Sequence, residues 1–261
     1  MSDHGRMHAP GPDVADELAS SGSVVPGQDA PTHGHRRVTS FRARRSTISD
    51  RQQAVWDERW PQLGTEARHG ESSAPLLDTD AWFGRQAPLI LEIGCGTGTS
   101  TLAMAQAEPD LDVIAVEVYR RGLAQLLSAI DCAEVTNIRL VRGDGVDVLT
   151  HMVGPDSLTG VRVFFPDPWP KARHHKRRLL QADTMALIAD RLRPGGVLHA
   201  ATDHLGYAEH IAEVGDAEPR LRRIDRDTAE LPISVSRPVT KYERKALAGP
   251  IVTELLWERI P

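Results

Sequence analysis

Leu89-Ile90-Leu91-Glu92-Ile93-Gly94-Cys95-Gly96-Thr97-Gly98 opens the regular part of this 261-residue chain. Its first five residues, apolar but for one acid, read as a buried strand. The three alternating glycines then turn the backbone into a helix reaching about Gln106. Outward from this unit the pattern repeats. Strands are expected at Val113 to Glu117, Ile138 to Val141, Val161 to Phe165 and Val197 to Ala201, and helices at Tyr119 to about Ile130, after Gly145, and from about Leu179 to Leu192. Arg193-Pro194-Gly195-Gly196 reads as the turn into the last of these strands. Strands alternating with helices at this spacing predict a parallel α/β sheet with helices on both faces. Such sheets bind ligands beyond the carboxyl ends of their strands, where the strand order reverses. Glu92, Glu117, Asp144, Asp167 and Asp203 all fall at or just past expected strand ends, and packing alone is a poor reason for five acids on one rim.

The glycine turn admits two readings. It could be a dinucleotide fingerprint, with Glu117 placed 23 residues after Gly94 as a ribose-binding acid. Against this, the final glycine of that fingerprint is replaced by Thr99, and Glu92 stands two residues before the first glycine. A carboxylate there would repel a pyrophosphate and favour a cofactor bearing an ammonium and a sulfonium. With acids at the ends of the second and third strands, the arrangement resembles S-adenosylmethionine-dependent methyltransferases of the Rossmann-like class. The resemblance implies that Gly94, Gly96 and Gly98 admit the cofactor close to the backbone, that Glu117 holds both ribose hydroxyls, and that Asp144 lies near the adenine amino group.

At the end of the fourth strand the chain reads Phe164-Phe165-Pro166-Asp167-Pro168-Trp169-Pro170-Lys171-Ala172-Arg173-His174-His175-Lys176-Arg177-Arg178. Each proline fixes its own φ and pushes the residue before it toward extended geometry, so Asp167 and Trp169 are expected in a stiff, extended turn, an elbow in the chain. A basic run is ordinarily a solvated face. Directly behind a rigid acid and aromatic platform, it reads better as a phosphate-binding patch beside a base-holding turn.

This stretch closely resembles the motif of the bacterial tRNA (guanine-N7)-methyltransferase family. Thr202-Asp203 with Tyr207-Ala208-Glu209-His210, and Arg237-Pro238-Val239-Thr240-Lys241-Tyr242-Glu243, agree with it. The resemblance covers about residues 36 to 260. It implies a class I methyltransferase fold, doubly wound, with a mostly parallel seven-stranded sheet and helices on both faces. It also implies S-adenosyl-L-methionine as cofactor and tRNA as partner, with Asp167 catalytic. Glu92, Gly94, Gly96, Gly98, Glu117, Asp144 and Asp167 would hold the cofactor. Lys171, Asp203, Thr240, Lys241, Tyr242 and Glu243 would hold the guanosine, and Arg173, His174, His175, Lys176, Arg177 and Arg178 the RNA. After Glu243 the chain departs from the family's pattern, reading Arg244-Lys245-Ala246-Leu247 where a glycine is expected. The rival readings are the same fold acting on another RNA base or a protein, and a non-catalytic RNA-binding subunit; the intact cofactor acids argue against the second.

Composition sets the remaining expectations. The net charge of −5 disfavours a nucleic-acid partner, yet cations cluster at Arg36, Arg37, Arg42, Arg44 and Arg45 and again at 171–178. Local patches, not the total, decide where a polyanion docks. Two cysteines, Cys95 and Cys132, suit a reducing cytoplasm. No apolar run approaches the roughly 20 residues of a membrane span, and no signal layout opens the chain. Residues 1–35 read as a disordered tail. Residues 36–75 read as a basic arm with a docking helix at 52–63, and 76–261 as the catalytic domain. No metal site and no obligate protein partner are expected, the histidines lacking ligand spacing; the protein is expected as a monomer or homodimer.

Overall fold

The structure, a computed structural model, describes residues 47–227, 230–238 and 252–261. Thr240, Lys241, Tyr242 and Glu243, the arginines of 36–45 and the expected tail lie outside them. The chain enters through α1 (Asp50–Leu63). Ser49 and Gln52 close a reciprocal capping box at its start, satisfying N–H groups that no helical carbonyl can reach. Next come β1 (Gly64–Glu66), the hairpin β2 (Arg68–His69) and β3 (Ser72–Ser73), and α2 (Thr79–Phe83). The repeating part follows as β4 (Leu89–Ile93), α3 (Thr99–Ala107), β5 (Asp112–Glu117), α4 (Arg120–Ala133), β6 (Ile138–Arg142) and α5 (Gly145–Asp147), which continues as a π-helical turn over Val148–Met152. It closes with β7 (Leu158–Phe164), a 3₁₀ helix over Ala172–Arg177, α6 (Ala182–Arg191), β8 (Leu192–Thr202), α7 (Leu205–Asp216), β9 (Leu221–Arg223) and β10 (Thr253–Arg259).

The sheet has eight strands in the order β1-β6-β5-β4-β7-β8-β10-β9, not seven. The sequence located only β4 to β8; β9 and β10 go unmarked in it, as does the edge strand β1, which pairs parallel with β6 as Gly64↔Leu140 to Glu66↔Arg142. Three residues are too few to carry a two-residue period. They pair because α1, anchored by buried Trp56 and Leu63, delivers the chain to the open edge of β6. The tryptophans pack, as expected: Trp56 stacks on Trp60 at 4.0 Å, and the Arg120 guanidinium lies 4.7 Å over Trp56.

β8 differs from expectation at its start. Arg193-Pro194-Gly195-Gly196 is a bulge inside the strand: Leu158 pairs with Leu192, and the next pair is Gly160 with Val197. Extra residues on one strand are looped out while pairing resumes beyond them, which proline and glycine tolerate.

β4 to β8 and β1 are parallel, and β10 is antiparallel to both β8 and β9. The order reverses at β4, since β5 and β6 extend one way and β7 and β8 the other. That places the crevice beyond Ile93, between the ends of β5 and β7. Alternate strand residues build two apolar clusters. Leu91, Ile93, Val161, Val163 and Ala200 pack with Tyr207 and Ile211 of α7, whereas Ile90, Val113, Ala115 and Val197 pack with Leu123, Leu126 and Leu127 of α4. Among the described residues no helix is long and apolar enough to cross a membrane.

Candidate active site

The glycine turn hangs from β5: Gly94 N–H and Cys95 N–H both donate to the Val116 carbonyl, at 2.8 and 3.1 Å. Gly94 (φ 79°) and Gly96 (φ 58°) sit in the left-handed region, and where their Cβ atoms would project there is only open space. Side chains there would be strained and would fill that space. Gly98 caps α3. Gly122, in the first turn of α4, lies so close beneath the turn that a Cβ on it would meet the Gly96 carbonyl oxygen at 2.2 Å.

Glu117 closes the turn from the other side. One carboxylate oxygen accepts from Gly96 N–H at 3.0 Å, and the other from Val118 and Tyr119 N–H at 2.7 and 2.9 Å. Three charge-assisted bonds make it a structural clamp of the loop. The ribose role implied by resemblance thus belongs to a carboxylate already holding backbone. Asp144, at the end of β6, caps α5 by accepting Val146 N–H at 3.0 Å.

Glu92 is 2% exposed, on the buried face of β4 with the Thr101 hydroxyl and the Arg162 guanidinium as its polar neighbours. Burial raises its carboxyl to about 6, against the opposing pull of the Arg162 charge. It begins a polar row on one face of the sheet, because Glu92 pairs in register with Arg162, and Arg162 with His199. Arg162, fully buried, donates to Glu108 at 2.6 Å and to the Ser234 carbonyl at 3.1 Å. Burial lowers the His199 pKa, so the ring is neutral at pH 7 and its Nε2–H donates to Glu254 at 3.1 Å. Glu254 also accepts from Arg237 at 3.1 Å.

The elbow follows β7, the hydrogen-bonded neighbour of β4, so the two strand tips lie side by side. Phe165 N–H donates to Ala201 O of β8 at 2.8 Å, and Asp167 is half-buried between its prolines. Phe165 (φ 50°) and Trp169 (φ 45°), at either end of Pro166-Asp167-Pro168 and each directly before a proline, occupy the left-handed region rather than the extended one expected of Trp169. Each such residue costs about 1–3 kcal/mol and persists only where its surroundings hold it. Trp169 is 3% exposed, with the His174 ring edge-on at 5.8 Å and the Arg177 guanidinium at 5.0 Å. Asp203 is exposed just beyond β8, and His204 caps α7 by accepting Tyr207 N–H.

In the basic run, Lys171, Arg173, Lys176 and Arg177 are exposed, and His174 and His175 are half-buried. Arg178 departs from the expectation of an RNA-facing cation. It is 5% exposed, with its guanidinium turned inward to the Pro168 carbonyl at 3.0 Å and the Gly206 carbonyl at 3.3 Å, 4.8 Å over the Tyr207 ring. Arg178 is the first residue past the 3₁₀ helix, with extended backbone (φ −57°, ψ 137°), and turns inward just ahead of buried Leu179 and Leu180. Tyr207, whose hydroxyl accepts Leu180 N–H at 3.1 Å, and Arg237 were not foreseen as supports of the site.

Residues 86–250 match the family model described as "Putative methyltransferase". A curated tRNA (guanine-N(7)-)-methyltransferase of Mycolicibacterium gilvum is 75% identical, with 100% of each chain covered. Its namesake in Mycobacterium tuberculosis is 61% identical over 99% of this chain and 96% of that one. The chain belongs to the bacterial tRNA (guanine-N7)-methyltransferase family. Among solved structures, the 16S rRNA methyltransferase KamB aligns with a TM-score of 0.48 at 15% identity, covering 74% of this chain and 98% of that one.

The residues at the switch point fit the methyl donor that this family implies. A buried carboxylate on Glu92 and an open, side-chain-free cradle at Gly94 and Gly96 suit a ligand that is cationic and needs close backbone approach.

Proposed function

We propose that this chain transfers a methyl group from S-adenosylmethionine to N7 of the variable-loop guanosine of tRNA, forming 7-methylguanosine. The observation that carries this reading is the adjacency of the glycine turn after β4 and the Asp167 elbow after β7, with exposed cations directly behind. When bound, S-adenosylmethionine supplies an electrophilic methyl group on a cationic sulfur. Glu92, Gly94, Gly96, Gly98, Glu117, Asp144 and Asp167 would hold it.

Guanine N7 carries an in-plane lone pair outside the Watson–Crick edge, so no residue has to remove a proton before transfer. The work of the chain is then to position the base, which can supply up to roughly 10 kcal/mol. Positive charge develops on the purine as N7 becomes quaternary, and the Asp167 carboxylate stabilises it. Asp203 accepts from guanine N1–H and N2–H, donors that adenine does not offer in that pattern. Lys171 and Thr240 to Glu243 complete the guanosine site in this reading. Lys171, Arg173, Lys176 and Arg177 hold the backbone around a base drawn from its stack.

Nucleoside mass spectrometry of tRNA incubated with the protein and S-adenosylmethionine should show 7-methylguanosine. Methyl incorporation that survives replacing the variable-loop guanosine with adenosine would refute the assignment. With about four phosphate contacts, log Kd for tRNA should change with log salt by a slope of magnitude about 3 to 4; a flat response, measured by filter binding, would remove the RNA interface.

The carboxyl of Glu92, raised by burial to about 6, gives a pH signature. A cationic ligand is attracted to its ionised form, so affinity for S-adenosylmethionine should weaken as pH falls through about 6, by up to about tenfold per pH unit. Calorimetry from pH 5 to 8 reads this, and Glu92→Gln should bind more weakly with a flatter profile. Without ligand the sign reverses. A folded-state pKa above the ordinary 4.5 means that the native chain binds the extra proton, so this carboxyl lowers stability as pH rises from 4.5 to about 6.

A further inference from the structure

We infer that Arg178 and Arg237 are positioning residues: two enclosed guanidiniums that brace the elbow Phe164–Trp169 from opposite ends and so fix the Asp167 carboxylate. For catalysis this rests on the methyl-transfer reading above; the bracing itself does not.

At the far end of the elbow, Arg178 joins three elements. Its Nε donates to the Pro168 carbonyl, one residue past Asp167, and Nη1 to the Gly206 carbonyl in the first turn of α7, three residues past Asp203. Nη2 meets His175 Nε2 at 3.2 Å. One planar group thereby sets the spacing between the two acids of the site. At the near end, the Arg237 guanidinium lies 4.9 Å from the Phe165 ring and 5.8 Å from the Phe164 ring, with a side chain 4% exposed and tied to Glu254. Phe164 is held in turn edge-on against His199 at 4.8 Å. Each brace therefore grips the elbow beside one of its two left-handed residues, Phe165 and Trp169, which the chain would not hold unaided.

Bracing and phosphate binding make opposite predictions for Arg178. A lysine keeps the charge but loses the planar fork. Arg178→Lys, Arg178→Gln and Arg237→Gln should all lower kcat at saturating tRNA and methyl donor by about 100-fold, the effect of an ångström of misplacement. All should keep the parent's salt slope for tRNA binding, whereas Lys176→Gln should reduce it by roughly one. Hydrogen–deuterium exchange over 164–180 should be faster in each Arg variant at temperatures where its melt is complete only well above. Should Arg178→Gln not fold, Arg178→Lys carries the comparison. A slope reduced by about one in Arg178→Gln, or elbow exchange equal to the parent's in the Arg178 and Arg237 variants, overturns the inference. Failure of the parent to methylate tRNA refutes the functional reading instead, and elbow exchange still decides the bracing.

Discussion

Asp167→Ala is expected to lower kcat by about 10²- to 10³-fold at saturating tRNA and methyl donor, the range seen when one preorganised group facing developing charge is removed. The carboxylate does not act as a base, so the loss should be nearly independent of pH across the range where the parent is active. Asp167→Asn, which keeps the shape and some hydrogen bonding, should recover part of the rate but not all of it. The tRNA Kd should change little, because the cations proposed to grip phosphate lie at the start of and along the 3₁₀ helix beyond. Single-turnover kinetics with labelled methyl donor separates these terms. Near-normal turnover in Asp167→Ala would leave the elbow without its assigned task.

The largest effect on stability is expected from Arg162→Ala. Arg162 is fully buried, and its removal leaves Glu108, its side chain 9% exposed, without its ion-pair partner and the buried Glu92 without its nearby cation. Breaking a buried pair by deleting one partner typically costs about 3–5 kcal/mol. Urea denaturation should show a loss of that size with little change in slope. Replacing both partners, Arg162→Met with Glu108→Leu, should recover part of it, the remainder being the Ser234 N–H that loses Glu108 as acceptor and the Glu92 carboxyl that loses its cation. A loss under about 1 kcal/mol in the single variant would mean that the charges are solvated after all.

These two residues also mark what the sequence discloses and what it conceals. The parallel core was legible because Leu89–Ile93 and Asp112–Glu117 are buried on both faces and therefore read as apolar runs, broken only by Glu92 and the acids at the ends of the second. The acids at strand tips were legible because topology alone sends each strand's carboxyl end to the same rim. β1 was not, being held by the landing point of α1 rather than by any pattern of its own. Pro194 and the glycines beside it read as a turn because local chemistry cannot distinguish a turn from a bulge whose partner strand is distant in sequence. Arg162 and His199 sit in strands read as apolar, and their partners Glu108 and Glu254 lie 54 and 55 residues away. Arg178 was counted with its neighbours because charge is visible in a sequence and direction is not.

Gly122 touches no ligand in any reading of the site, yet the Gly96 carbonyl rests where its side chain would begin. Alanine there would suit the helix itself by about 1 kcal/mol, and would shove the loop above it outward into the donor's cradle. Selection for a sturdier α4 and selection for an open glycine turn, the proposed seat of the methyl donor, therefore pull this one position in contrary directions. The affinity of the cradle is written partly in the absence of a methyl group on the helix underneath it.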